Sequence, residues 1–207
     1  MGDVPLFFNG ESLGGCVLLL ASMRLQPPAQ GLVLFAPMVG IAKDMVPNCC
    51  ITGILRLLMR VIPAAPIAPV PDHLERCFSD SSVIAVVRSD PIRYKGMNRL
   101  LTASELLAAS MWLQDNLAAV KTPFLVFHGE NDLVTDPALS AKLFDEASTE
   151  DKTHVVLEGA RHVASVEPMD TRRRYCRMMT SWVQARTDGA SEDAVGAIGK
   201  PRATRIQ

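Results

Sequence analysis

The segment that decides the fold runs from Pro5 to Arg24 and reads PLFFNGESLGGCVLLLASMR. Its first four residues are a short apolar run that predicts a strand, and the nearly all-apolar stretch from Leu13 to Arg24 predicts a helix. Between them, residues 10–14 read GESLG and match the motif G-x-S-x-G. That motif between a strand and a helix is typical of a nucleophile elbow, so Ser12 is the candidate nucleophile.

The residues around Ser12 fit the same interpretation. The turn from strand to helix is so sharp that side chains two positions before and two after the serine would collide, which explains Gly10 and Gly14. Leu13 opens the helix, so its backbone N–H and the positive end of the helix dipole face the place where an oxyanion would develop. The alternative is that Ser12 only caps the helix, since serine is a favoured N-cap residue.

Outward from this segment, short buried strands alternate with helices. Strands are predicted over 31–35, 123–127 and 153–157, and helices over about 137–147 and 167–186. This alternation predicts an α/β fold with a mostly parallel sheet that is covered on both faces.

The middle and the end of the chain differ from this pattern. Residues 37–117 show no convincing strand alternation but several helix-like pieces, which predict an inserted helical cap. Thr102 and Glu105 have the spacing of a capping box and predict a helix from Thr102 onward. The tail has almost no large apolar residues and is rich in Gly, Ala and charge, which predicts disorder. The predicted organisation is core over 1–36, cap over 37–117, core over 118–187 and disordered tail over 188–207.

A serine nucleophile needs a base, and the sequence has four histidines, His73, His128, His154 and His162. His162 follows the last predicted strand directly, and loops at the carboxyl ends of parallel strands are where α/β sheets have their sites. His154 lies inside a strand and His128 at a strand end, where structural histidines are common, and His73 falls in the cap. His162 is therefore the candidate base.

The base in turn needs a carboxylate that fixes its tautomer, and residues 128–137 contain three. Asp136 precedes Pro137 at a helix start, so an N-cap role explains it. Glu130 can be solvated or pair locally, whereas Asp132 has no such explanation. We assign Asp132 as the third member, with Glu130 as the alternative. The chain order Ser, Asp, His is that of the α/β-hydrolase fold.

Composition excludes several classes of protein. The 207 residues include 21 basic and 22 acidic side chains, so no basic surface for nucleic acid is expected. The five cysteines form no CxxC pair, which indicates neither a disulfide framework nor a zinc site and favours a cytoplasmic location. The most apolar stretch, 51–70, contains two arginines and three prolines, so neither a transmembrane segment nor a targeting signal is predicted. The chemistry expected of the triad requires no metal or organic cofactor.

Further motifs accompany the candidate triad: APM at 36–38, DP at 90–91, RLLTA at 99–103, HGEND at 128–132, TDP at 135–137 and EP at 167–168. With GESLGG at 10–15 they resemble the monoacylglycerol lipase family, particularly its plant-type members, over about residues 5–183. The resemblance implies an acylglycerol lipase or lysophospholipase with Ser12, Asp132 and His162 on the family's triad positions. Related members also cleave phenolic esters such as caffeoyl shikimate.

The chain departs from the family pattern at its start. Family members resembling it have roughly the first third of the fold before the elbow, including a His-Gly loop that donates a second oxyanion N–H, whereas nine residues precede Gly10 here. We therefore expect a truncated fold whose first strand is an edge with exposed Phe side chains and unpaired backbone. Losing one oxyanion donor is expected to cost about 10²- to 10³-fold in kcat. Two alternatives follow: an inactive fragment that acts as a binding or interaction protein, and an acyltransferase with the same triad.

The apolar residues of the cap bear on the substrate and on membrane contact. The density of Ile, Leu, Met and Val over 41–70 is high enough to line an acyl tunnel or to touch a membrane surface. The alternative is an ordinary buried helix. A lipid ester substrate and peripheral membrane contact through the cap are the interactions expected.

Overall fold

Five segments of the described chain form one sheet. The computed structural model describes residues 4–25, 29–40, 49–68, 74–187 and 204–206. Its strands are β1 Phe7–Glu11, β2 Gly31–Phe35, β3 Phe124–Gly129, β4 Lys152–Leu157 and β5 Thr204–Ile206. Their order in the sheet is their order in the chain, and every neighbouring pair is parallel. The predicted α/β fold with a mostly parallel sheet is confirmed.

Helices cover both faces of this sheet. The described residues form α1 Leu13–Ser22, α2 Cys49–Val61, α3 Leu74–Cys77, α4 Ser81–Ser89, α5 Leu100–Asp115, α6 Pro137–Glu146 and α7 Met169–Gln184. Successive side chains of a strand point to opposite faces, so Leu32 and Leu34 pack with α1, α5 and α6, while Val33 and Phe35 pack with α7. Burial on both faces explains why β2 is continuously apolar and why β3 is apolar from Phe124 to Phe127.

The first strand lies at an edge of the sheet, as the sequence predicts. It runs from Phe7 to Glu11 and so includes the first two residues of the elbow motif. It therefore begins and ends slightly later in the chain than the predicted strand. The expectation of exposed Phe side chains is wrong, because both are half-buried. Phe7 meets Trp182 of α7 edge to face at 6.1 Å between ring centroids, and Phe8 packs against the α1 side of the core.

The described residues between β2 and β3 include helices α2 to α5, so the predicted helical cap is present. Its longest helix begins at Leu100 with Arg99 as the N-cap residue. The start predicted at Thr102 from the capping box is therefore wrong. The physical reason is that backbone carbonyls supply the cap: the N–H groups of Leu100 and Leu101 donate to the carbonyls of Ala65 and Pro63 at 3.1 and 3.0 Å. The boundaries of the cap, like those of the two core segments, stay predictions.

The end of the chain differs from its expected disorder at three residues. Thr204–Ile206 form β5, which pairs with β4 from Thr153 to Val155. Thr204 and Ile206 are β-branched, which suits a strand, and Ile206 packs against the α7 side of the core. The rest of the tail, residues 188–203 and 207, and the cap histidine His73 lie outside the described residues. Within the described chain, no helix combines the length and apolar character that crossing a membrane requires.

Candidate active site

Ser12 occupies a strained position between β1 and α1. Its backbone φ of 53° and ψ of −119° lie in a region that residues other than glycine rarely adopt. Two of its backbone hydrogen bonds connect it to β2 and the residues after that strand: its N–H donates to the carbonyl of Phe35 at 2.9 Å, and its carbonyl accepts from the N–H of Met38 at 2.9 Å. Its side chain makes no cap hydrogen bond to α1, so helix capping by the hydroxyl does not explain this serine.

The glycines of the elbow have unequal steric roles. A Cβ added to Gly10 would lie 2.6 Å from Leu18 Cδ1 and 2.8 Å from the backbone carbonyl of Gly14. The structure differs from expectation at Gly14, where an added Cβ would meet nothing within 4 Å. The second crowded position is Gly15, whose Cβ would lie 2.7 Å from Pro37 Cβ. Close approach to the end of β2 therefore requires Gly15.

The structure brings together the three side chains that the sequence singled out. His162 Nε2 lies 2.9 Å from Ser12 Oγ, and His162 Nδ1 lies 2.7 Å from Asp132 Oδ2. His162 and Asp132 are 5% and 6% exposed, whereas Ser12 is half-buried. A buried imidazole between a hydroxyl and a carboxylate is the arrangement in which the imidazole can accept the hydroxyl proton and the carboxylate stabilises the resulting cation.

The loops that bear Asp132 and His162 are packed directly against each other. The N–H of Asn131 donates to the carbonyl of Ala160 at 2.9 Å. Gly129, the last residue of β3, allows this approach, because an added Cβ would lie 2.6 Å from the Ala160 carbonyl oxygen. Parallel pairing of β3 with β4 ends both strands at the same edge, which places the two loops side by side.

The carboxylate of Asp132 is held by several donors. Its Oδ1 accepts from the N–H groups of Val134 and Thr135 at 2.8 and 3.2 Å, and its Oδ2 accepts from the Thr135 hydroxyl at 2.8 Å. Burial raises the pKa of Asp132, but hydrogen bonds from His128 and His162, the charge of His162 and the N–H of Val134 outweigh burial. The pKa of this carboxyl therefore lies well below its ordinary value, and Asp132 is ionised at neutral pH.

His128 is a member of the site that sequence reasoning treated as structural. It is fully buried, its Nε2 lies 3.1 Å from Asp132 Oδ2, and its Nδ1 lies 2.7 Å from Ser140 Oγ. An ionised carboxylate only accepts, so the proton of His128 belongs on Nε2, and Nδ1 accepts from the Ser140 hydroxyl. The signal for this contact was the spacing H-G-x-x-D, which puts the histidine at the end of β3 and the aspartate in the loop that follows.

The other two carboxylates near Asp132 have the local roles considered for them. Asp136 caps α6 by accepting from the N–H of Ala138 at 2.9 Å, with Pro137 in the first turn. Glu130 accepts from the N–H of Gly159 at 3.0 Å and so ties its own loop to the loop of His162. Neither carboxylate bonds to the His162 ring in the way that Asp132 does, so the geometry favours Asp132 over Glu130.

Two groups border the nucleophile. Leu13 is the first residue of α1, and its N–H is one of the helix-terminal donors that have no partner within the helix. Its predicted role as an oxyanion donor stays a prediction. Glu11 lies on the other side of Ser12: burial raises its pKa, and the charge of His162 and the N–H of Ala164 offset part of that rise. Among the described residues, no group of three or more His, Cys, Asp or Glu side chains is placed to hold a metal ion.

Comparison with known proteins adds to this geometry. The profile of the family described as serine aminopeptidase, S33 (Hydrolase_4) matches residues 1–169. The chain is 32% identical over 183 residues to caffeoylshikimate esterase of Arabidopsis thaliana, covering 87% of this chain and 55% of that protein. It is 25% identical over 191 residues to monoglyceride lipase of Homo sapiens, covering 89% of this chain and 60% of that protein. The chain thus spans less than two thirds of the length of these relatives.

A solved structure shares the fold. A soluble variant of monoglyceride lipase from Saccharomyces cerevisiae, in complex with a substrate analog, superposes with a TM-score of 0.76 at 22% identity. The match covers 89% of this chain and 63% of that one. This likeness shows a partial α/β-hydrolase fold.

Proposed function

Because the chain belongs to the serine aminopeptidase S33 family and is similar to monoglyceride lipases, we propose that it is a serine esterase that cleaves a lipid carboxylic ester, with a monoacylglycerol as its substrate. The observation on which the proposal rests is the continuous hydrogen-bonded path from Ser12 Oγ through the His162 ring to Asp132 Oδ2, at 2.9 and 2.7 Å. Ser12, His162 and Asp132 are its proposed nucleophile, base and orienting acid.

The proposed reaction proceeds through an acyl-enzyme. His162 Nε2 accepts the proton of Ser12 Oγ as that oxygen attacks the ester carbonyl, and the N–H of Leu13 donates to the oxyanion. Collapse of the tetrahedral intermediate breaks the ester bond, and His162 gives the proton to the leaving alcohol. A water molecule then attacks the acyl carbonyl while His162 accepts its proton. The bond between the acyl carbon and Ser12 Oγ breaks, His162 returns the proton to Ser12 Oγ, and the fatty acid is released. Asp132 stays ionised throughout, because its pKa is held well below neutrality.

The surface of α2 favours a lipid as the substrate. Ile54, Leu57 and Val61 follow the spacing i, i+3, i+7 and are 60%, 65% and 76% exposed. Apolar side chains on one side of a helix that remain exposed in the folded chain suit contact with lipid acyl chains or with a membrane surface. An ordinary buried helix would have covered these residues, so this observation supports peripheral membrane contact through the cap. The cytoplasm remains the predicted location.

Phenolic esters are a second candidate substrate class, and the identity of 32% with caffeoylshikimate esterase is the observation that favours it. The two candidates are separated by measuring kcat/KM of one preparation on a monoacylglycerol and on caffeoyl shikimate. The lipid proposal expects a higher kcat/KM on the monoacylglycerol, together with a loss of that preference when Leu57 is replaced by Ser. A higher kcat/KM on caffeoyl shikimate would replace the lipid proposal by the phenolic one.

Two other outcomes separate the remaining alternatives. Transfer of the acyl group to added glycerol in excess of hydrolysis would indicate an acyltransferase. A folded preparation that hydrolyses neither ester and does not react with a serine-directed phosphonate would indicate an inactive fragment whose role is binding.

A further inference from the structure

The residue before the proposed base is bonded to the cap through its side chain. Arg161 precedes His162, and its Nη1 donates to the carbonyl of Phe78 at 3.1 Å and also to the carbonyl of Glu75. Glu75 lies in the four-residue helix α3 and Phe78 directly follows it. The last four carbonyls of a helix have no partner within the helix. A guanidinium satisfies such carbonyls well because it is always charged and has several N–H donors.

The main chain of Arg161 is bonded to the same part of the cap through a buried carboxylate. Glu167 is 2% exposed, and its Oε1 accepts from the backbone N–H of Arg161 at 2.9 Å. Its Oε2 accepts from the Ser79 hydroxyl at 2.7 Å. A buried carboxylate is costly unless its oxygens are paired, so both hydrogen bonds are strongly favoured in the folded state. Glu167 thus joins the loop of His162 to the cap at two points.

The same short stretch of the cap also contacts the loop of the proposed acid. Arg76 Nη1 donates to the carbonyl of Leu133 at 3.2 Å, and Leu133 follows Asp132 directly. Residues 74–79 therefore bond to the loops on both sides of the Asp132–His162 hydrogen bond. The loop of His162 receives three of these connections, two from the Arg161 side chain and one through Glu167.

We propose that Arg161 and Glu167, together with residues 74–79, form a cap latch that positions His162 for reaction with Ser12. Arg161 and Glu167 are positioning residues, since they act through the loop of His162 and not on the substrate. The proposal rests on the proposed function in that His162 is taken as the base. A displacement of a catalytic group by about 1 Å can cost about 10²-fold in rate, so partial release of the loop lowers kcat without a matching change in KM.

Three variants of the full chain test the latch. Arg161→Met keeps the aliphatic stem and removes the donors to the cap, and Ser79→Ala removes one donor to Glu167 from the cap side. Arg88→Met is the matched control, because Arg88 pairs with the side chain of Glu75 on the exposed surface of the cap at 3.7 Å. The first readout is the rate at which a fluorophosphonate labels Ser12. The second is the low-field proton resonance of His162 Nδ1–H, which reports its hydrogen bond to Asp132 without any turnover.

We expect Arg161→Met to slow labelling about tenfold and to broaden the His162 resonance. Ser79→Ala should slow labelling about threefold. Arg88→Met should match the original chain in both the labelling rate and the resonance. A labelling rate and a resonance unchanged in Arg161→Met would overturn the proposal. If Arg161→Met does not fold, Ser79→Ala decides, and a rate equal to that of the original chain overturns it. If the original chain neither labels nor hydrolyses esters, the proposed function fails, but the resonance still decides whether the latch holds His162.

Discussion

The two halves of the candidate triad are supported differently by the sheet. Asp132 and His162 follow β3 and β4, which each have a neighbouring strand on both sides, and their side chains are 6% and 5% exposed. Ser12 follows β1, an edge strand, and its backbone conformation is strained. The acid and base are therefore held by buried hydrogen bonds to each other and to the loop of Asp132. The nucleophile depends instead on hydrogen bonds to the end of β2 and on the space left at Gly10 and Gly15.

The strongest way to break the acid half is to replace Asp132 by Asn. The substitution removes the charge and presents an amide to His162 Nδ1, which disfavours the tautomer that accepts the Ser12 proton. We expect kcat to fall about 10⁴-fold on a short-chain ester while the chain stays folded. Glu130→Gln is the control, because Glu130 bonds to Gly159 and should leave kcat within about twofold. An equal loss in both variants would contradict the preference for Asp132, and a larger loss in Glu130→Gln would make Glu130 the better candidate for the acid.

The nucleophile half is tested by two alanine substitutions that differ in the space available. Gly10→Ala places a Cβ 2.8 Å from the Gly14 backbone, so we expect it to lower the free energy of unfolding by about 2–3 kcal/mol and to slow labelling of Ser12. Gly14→Ala places a Cβ in open space on a helix, so we expect a gain of about 0.5–1 kcal/mol. Urea unfolding of both variants measures the difference. Equal destabilisation would mean that crowding at the elbow is shared by both glycines.

His128 tests whether the acid half depends on more than the triad. His128→Leu removes one donor to Asp132, so we expect kcat/KM on a short-chain ester to fall about tenfold. His128→Gln can place its amide N–H near the position of the imidazole Nε2 and should recover part of that loss. A higher kcat/KM in His128→Gln than in His128→Leu is expected if His128 donates to Asp132. Equal losses of kcat/KM in the two variants would indicate that His128 serves packing only.

The pH dependence of stability tests the lowered pKa of Asp132 without a change in activity. Because the pKa of Asp132 is lower in the folded chain than in the unfolded one, its contribution is fully present above the unfolded value and is lost as pH falls through the folded value. Below about pH 4 this group alone should contribute a slope of up to about 1.4 kcal/mol per pH unit. Urea unfolding at several acidic pH values should show a shallower loss in Asp132→Asn, and identical slopes would contradict a lowered pKa.

The sequence predicts features that follow from a local pattern and misses those that depend on a distant partner. Short buried strands have an apolar pattern that periodicity recognises, so β2, β3 and β4 lie close to their predicted positions. Ser12, Asp132 and His162 follow strands and precede helices, and the topology brings such positions to one edge of the sheet. A side chain that bonds to a segment far away in sequence leaves no local signal, which is why Arg161 and Glu167 were not singled out as site residues.

Errors in the sequence interpretation also have a physical origin. The capping box at Thr102 assumed that a side chain caps α5, but carbonyls of Ala65 and Pro63 do so. The disorder predicted for the tail followed from its composition, while Thr204–Ile206 pair with β4. In both cases a partner far away in sequence satisfies the backbone, and no local pattern reports it.

The most direct test of the central claim is labelling of the purified 207-residue chain by a fluorophosphonate, with the modified residue identified by mass. The proposed triad predicts that Ser12 is labelled in the original chain and that His162→Ala abolishes the labelling, because the hydroxyl then lacks its base. A folded chain that is not labelled at Ser12, or a His162→Ala variant that is labelled at the original rate, would contradict the assignment of Ser12 and His162 as nucleophile and base.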